Sequence, residues 1–180
     1  MRHTLSILVE NRFGELSRIV GLFSARGYNI ESLTVAETLD PKISRMTLVT
    51  TGNDETIEQI TRQLEKQVRV IEAVDMTSFA HIEREMALIN VRAEAGPARQ
   101  EALSLAGIFR AKVVDVSGDG IIVEATGDWA KVSALIELLK PLGIREIVRT
   151  GTVAITRLSE GHASETTSRE IDEEELTVRR

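Results

Sequence analysis

Leu5, Ile7 and Val9 alternate with Thr4 and Ser6, the period-two signature of a strand with one buried face. Leu16, Ile19, Val20 and Phe23 then recur at i, i+3, i+4 and i+7, which predicts an amphipathic helix ending before Gly27. Two further strands are expected around 29–37 and 44–50, separated by the turn residues Leu39-Asp40-Pro41-Lys42. Asn53 or Asp54 can cap a second helix whose core face is Ile57, Ile60 and Leu64. A strand over 68–76 closes the unit.

The same order then repeats. A strand is expected from Ile82 to Arg92. Gly96-Pro97 opens a helix whose apolar face is Ala98, Ala102, Leu105 and Phe109, with proline at the position that needs no N–H. Strands over 113–116 and 121–125 flank the hairpin signal Gly118-Asp119-Gly120. Asp128 can cap a helix carrying Val132, Leu135, Ile136 and Leu139, and the run from Ile144 to Ile155 supplies one last strand. The pattern is α+β: two ferredoxin-like βαββαβ domains, 1–78 and 82–157, each an antiparallel sheet with both helices on one face. Residues 158–180 form a polar acidic tail with too few apolar positions to offset ordering entropy, and disorder is expected there, with 171–176 at most a transient helix or docking segment.

Charge narrows the function. Of 22 basic and 28 acidic residues, 4 and 7 lie from Arg157 onward, so half of the net −6 sits in the tail. No basic footprint exists for nucleic acid. The chain has no cysteine, and no apolar run of ~20 residues, which sets aside a disulfide framework and a membrane span. A cytoplasmic location is expected. His3, His81 and His162 are too scattered for a recognisable metal or acid–base motif, and Walker and G-x-G-x-x-G patterns are absent.

One turn carries candidate chemistry. In Asn11-Arg12-Phe13-Gly14-Glu15-Leu16-Ser17, a glycine stands where a helix begins. Gly14 either relaxes a tight turn or lets a carboxylate approach the free N–H groups of the helix N-terminus. Asn11 could turn its side-chain oxygen toward an ammonium group on the same ligand, and an α-amino acid carries both groups. The second strand lies at a sheet edge, where another copy could pair. Asn29 and Ile30 of one chain could then face the Asn11–Gly14 turn of the other.

Asn11-x-x-Gly14-x-Leu16, Arg26-Gly27-Tyr28-Asn29-Ile30-Glu31-Ser32-Leu33 and Ser44-Arg45-Met46-Thr47 resemble the small, regulatory subunits of acetolactate synthase (acetohydroxyacid synthase). The likeness runs on through His81-Ile82-Glu83-Arg84-Glu85, Phe109-Arg110-Ala111 and Arg149-Thr150-Gly151, covering residues 1–157. The resemblance implies an N-terminal ACT domain that dimerises and binds valine, with leucine or isoleucine as alternatives, at the dimer interface. It implies a large catalytic subunit as partner, activated by the small subunit and made sensitive to feedback inhibition. Thiamine diphosphate, FAD and Mg²⁺ are expected in that partner and no cofactor in this chain, which is then non-catalytic. Carried over by residue, Asn11 and Asn29 bind through their amides, and backbone N–H groups of Gly14, Glu15 and Leu16 hold the carboxylate. Ile30, Leu16 and Val35 pack the isopropyl group. Phe13 departs from the smaller residue expected beside such a site. The competing readings are a stand-alone amino-acid sensor acting on another partner, and an acyl phosphatase using Asn11-Arg12.

Overall fold

The structure is a computed structural model and describes residues 1–158. The first half runs β1 (Arg2–Glu10), α1 (Glu15–Ala25), β2 (Ile30–Glu37), β3 (Ile43–Thr51), α2 (Asp54–Glu65) and β4 (Val70–Asp75), with a short 3-10 turn at Met76–Ser78 after it. The second half runs β5 (His81–Arg92), α3 (Pro97–Ile108), β6 (Lys112–Val116), β7 (Gly120–Gly127), α4 (Trp129–Gly143), β8 (Ile144–Arg149) and β9 (Val153–Thr156). The sheets are ordered β2-β3-β1-β4 and β6-β7-β5-β8, which is the split βαβ order twice. The expected α+β, ferredoxin-like class is what forms. The tail expected to be disordered lies, from Ser159 onward, outside the described residues.

Alternation decides which face is buried. Leu5, Ile7 and Val9 of β1 and Met46 and Leu48 of β3 turn inward to Ile19 and Phe23 of α1 and to Ile57, Ile60 and Leu64 of α2. In the second half Ala87, Ile89 and Val91 meet Ile121, Val123 and Ala125, under Ala102 and Ala106 of α3 and Val132, Leu135, Ile136 and Leu139 of α4. Asn53 accepts the Thr56 N–H at 2.8 Å and Asp128 the Lys131 N–H at 2.8 Å, so both expected side-chain caps form. Each satisfies a donor that the first turn leaves unpaired.

The last strand differs from expectation. The run 144–155, expected as one strand, is broken: Arg149 lies opposite Ala87 and Val153 opposite Arg84, so Thr150–Thr152 face only Glu85 and Met86 across β5. The extra residue bulges out of the ladder. Gly151 has φ +85°, and a Cβ there would lie 2.6 Å from the Ser32 hydroxyl oxygen. The bulge therefore presses on β2 of the first half. Pattern alone could not show this, because the cause is a contact 120 residues away.

That contact belongs to a polar seam between the halves. Arg2 Nη1 donates to Glu83 at 3.2 Å and Nη2 to the Thr152 hydroxyl at 3.1 Å, while its guanidinium lies 5.6 Å from the Trp129 ring centroid. The Thr4 hydroxyl donates to Glu83 at 2.6 Å, and the His81 ring reaches the same carboxylate at 3.2 Å. Burial pushes the Glu83 carboxyl up. The Thr4 and His81 hydrogen bonds and the Arg2 charge outweigh it and hold the group below its ordinary 4.5. A lowered folded value means that the contribution to stability is complete above 4.5 and fades as pH falls below it. Glu83→Gln should therefore lower the urea midpoint at neutral pH, and its gap from the wild type should narrow as both are acidified below 4.5. A gap of constant size from neutral to acid pH would show that the charge on Glu83 does not hold the seam.

Candidate functional site

The turn between β1 and α1 is built around Gly14. It occupies the helix N-cap in the left-handed region, φ 88° and ψ −10°, with no side chain capping the helix. An ideal Cβ at Gly14 would meet nothing within 4 Å, so the glycine is required by its backbone conformation and the space above it is open. The Glu15 N–H turns back to the Arg12 carbonyl at 3.3 Å. Leu16 and Ser17 then supply the remaining first-turn N–H groups, at the positive end of α1.

Asn11 stands just past the end of β1. Its amide nitrogen donates to Glu37 at 3.0 Å and to the Pro41 carbonyl at 2.9 Å, which uses both amide hydrogens. The side-chain oxygen is left as the acceptor. That orientation matches an ammonium donor on a ligand, and it is held by Glu37, which the sequence did not mark, and by Pro41, which it marked only as a turn residue. The Glu15 side chain turns inward and is buried, paired with Arg18 at 3.3 Å and Arg69 at 3.5 Å. Only its backbone belongs to the turn. Leu16 and Val35 are each 42% exposed, and Phe13 projects fully into solvent. Phe13 takes no space from the turn of its own chain.

The other expected residues do not join this group within one chain. β3 pairs antiparallel with both β1 and β2, so β1 and β2 run the same way: Val9 and Glu37 lie opposite Ser44, and His3 and Ile30 lie opposite Thr50. Asn11, Gly14, Leu16 and Val35 gather toward the end of β2, and Asn29 and Ile30 stand at its beginning. Seven residue steps lead from Ile30 to Glu37, roughly 23 Å at the usual rise. β2 is an edge strand with no neighbour on its outer side among the described residues. Its pairing with β3 slips at Glu31, a bulge between Ile30 and Ser32 that sets Ile30 on the same side as Leu33. The Asn29 carbonyl accepts the Thr50 hydroxyl at 2.6 Å, and its exposed side chain is free to meet an incoming group.

Two clefts open elsewhere. One of about 260 Å³ lies on the seam between the halves, lined by Arg2, Glu31, Trp129, Glu85, Arg149 and the Thr150–Thr152 bulge. The second, about 560 Å³, lies beside the start of α2 and includes Asp54, Glu58, Asp75 and the buried His3. His3 is tied to Asp75 at 2.9 Å, a structural role. Among the described residues no group of three or more His, Cys, Asp or Glu side chains could hold a metal ion, and no helix is long and apolar enough to cross a membrane.

A family model for an acetohydroxyacid synthase (AHAS) small subunit-like ACT domain matches residues 5–72, and a model for the small subunit of acetolactate synthase matches residues 84–158. The chain is 47% identical over 156 residues to the acetolactate synthase small subunit of Aquifex aeolicus (strain VF5), covering 87% of this chain and 81% of that relative. It is 48% identical over 155 residues to that of Mycobacterium leprae (strain TN), covering 86% and 91%. A crystal structure of the acetolactate synthase small subunit from Thermotoga maritima superposes with a TM-score of 0.77 at 42% identity, covering 87% of this chain and 98% of that one.

Because Gly14 has room for a side chain but an unfavourable φ for one, Gly14→Ala should fold and lose about 1 kcal/mol of stability. Urea unfolding measures it. A loss several times larger would mean that the space above the turn is closed in solution.

Proposed function

This chain belongs to the acetolactate synthase small-subunit family, and we propose that it is the regulatory subunit of such an enzyme, binding valine where two copies meet. Residues 1–78 form the ACT domain and residues 82–157 a second ferredoxin-like domain. The chain itself is non-catalytic. Its partner is a large catalytic subunit that carries thiamine diphosphate, FAD and Mg²⁺ and makes the acetolactate of branched-chain amino-acid synthesis. The chain raises that partner's activity and makes it answer to valine.

One observation carries the ligand reading: the open, uncapped turn at Gly14 stands beside an Asn11 whose only unspent group is an acceptor oxygen. First-turn N–H groups suit a carboxylate, and the Asn11 oxygen suits the ammonium of the same amino acid. Leu16 and Val35, half exposed beside the turn, offer apolar area for a branched side chain. Antiparallel pairing of two β2 edges brings Asn29 and Ile30 of the partner to the turn, and a two-fold axis makes two such sites per dimer. Discrimination among valine, leucine and isoleucine is modest, since one methylene in an apolar pocket is worth ~1–3 kcal/mol.

Regulation is linkage. Valine inhibits by binding the less active arrangement of the complex better than the more active one, and the difference in affinity sets how far the balance moves. A ligand held between two chains fixes the angle at which the pair presents itself to the catalytic subunit.

Gly14→Asp tests the placement. Asp is among the residues that tolerate positive φ, and it places a carboxylate in the open space that the ligand's own carboxylate would use. The variant should fold and still activate the large subunit, while calorimetric valine affinity falls at least about tenfold and inhibition is lost. Valine inhibition that survives unchanged in the reconstituted pair would contradict the placement.

A further inference from the structure

Strand β2 meets different things on its two faces. A strand alternates its side chains, so Leu33 and Val35 turn to the helix layer and Ser32 and Thr34 to the reverse. On the reverse face the Ser32 hydroxyl oxygen accepts the Thr152 N–H at 2.9 Å, and the Thr34 hydroxyl donates to the Thr152 carbonyl at 2.9 Å. Both backbone groups of one residue in the second half are thus held by two hydroxyls of the first. Thr152 is 1% exposed, and its own hydroxyl is gripped by Arg2 at 3.1 Å. Gly151 closes the contact sterically, because any side chain there would strike Ser32 and Thr34.

Asn29 and Ile30 sit only two to five residues upstream on that strand, with the Glu31 bulge between. Resting on the ligand reading above, we propose that the Gly151–Thr152 bulge is the element by which the second half reads ligand occupancy. A ligand that immobilises Asn29 and Ile30 also immobilises Ser32 and Thr34, and these tighten on Thr152. The ligand touches none of the bulge. Coupling of this kind is reciprocal: whatever factor the ligand adds to the grip, the grip adds to ligand affinity. The second half is then part of the sensor, and Ser32 and Thr34 are positioning residues that act through the strand.

The Thr152 N–H is a direct reporter, because it is bonded to the Ser32 side chain and not to a strand neighbour. In the full-length, ¹⁵N-labelled chain, saturating valine should slow exchange of this amide at least about fivefold. Ser32→Ala removes the acceptor, and Thr34→Val removes the other hydroxyl with little change of shape. In Ser32→Ala the amide should exchange fast with or without valine, and in both variants calorimetric valine affinity should drop by a factor like the wild-type slowing. Valine binding that leaves Thr152 exchange unchanged, or variants that keep full affinity, would overturn the coupling and spare the ligand site. No calorimetric binding of valine by the wild-type chain would overturn both.

Discussion

Everything proposed for this chain depends on β3 lying between β1 and β2. Pairing antiparallel with each, it forces those two strands to run the same way, so the end of β1 and the start of β2 lie at opposite ends of the sheet. The Asn11–Gly14 turn and the Asn29–Ile30 corner are therefore separated by a strand's length within one chain. The same order leaves β2 on the edge, with its outer hydrogen-bonding groups unpaired among the described residues. One constraint of topology thus sets half of the proposed site at each end of the sheet and leaves an edge through which the two halves can be joined. Two-fold pairing of that edge places unlike ends together, and it does so twice.

The turn chemistry adds what topology lacks. Left-handed Gly14 opens α1 without a capping side chain, and with the Glu15 N–H turned back to Arg12, the Leu16 and Ser17 N–H groups are the ones left for the proposed ligand. The buried Glu15 just inside could oppose an incoming carboxylate, but Arg18 and Arg69 balance its charge. Asn11 is held with its oxygen outward by Glu37, the last residue of β2, which ties the turn to the end of the edge strand. Both ends of β2 are thereby engaged, one by Asn11 and the other by the Thr50 hydroxyl at Asn29.

Much of the fold was legible because it is written in local period: alternation in Leu5–Val9, the four-residue spacing of Leu16–Phe23 and Ile57–Leu64, and the caps at Asn53 and Asp128. The break at Thr150–Thr152 was not. Ile147 and Val148 before it and Val153 and Ile155 after it read as continuous strand, and what bends the chain is the approach of Ser32 and Thr34 from far away in sequence. The isolated Gly151 inside a strand pattern was the one available signal. Similar reasons hid Arg2 and Glu83, whose partners lie about 80 residues apart, and the inward turn of Glu15, since charged residues near a helix start usually face water. An edge strand made a second chain conceivable from sequence. That Asn11 and Asn29 cannot meet without one became visible only with the register of β1, β3 and β2.

Complementation between variants tests the two-chain site most directly. Gly14→Asp spoils one half of the site and Asn29→Ala the other, so neither variant alone should bind valine at wild-type affinity. After the two are mixed and allowed to exchange subunits, each mixed dimer should regain one intact site, made from Gly14 of one chain and Asn29 of the other. Random exchange restores on the order of a quarter of the wild-type sites in a calorimetric titration. If the mixture binds no more valine than the separate variants, the two halves do not come from two chains, and the account of this site is wrong.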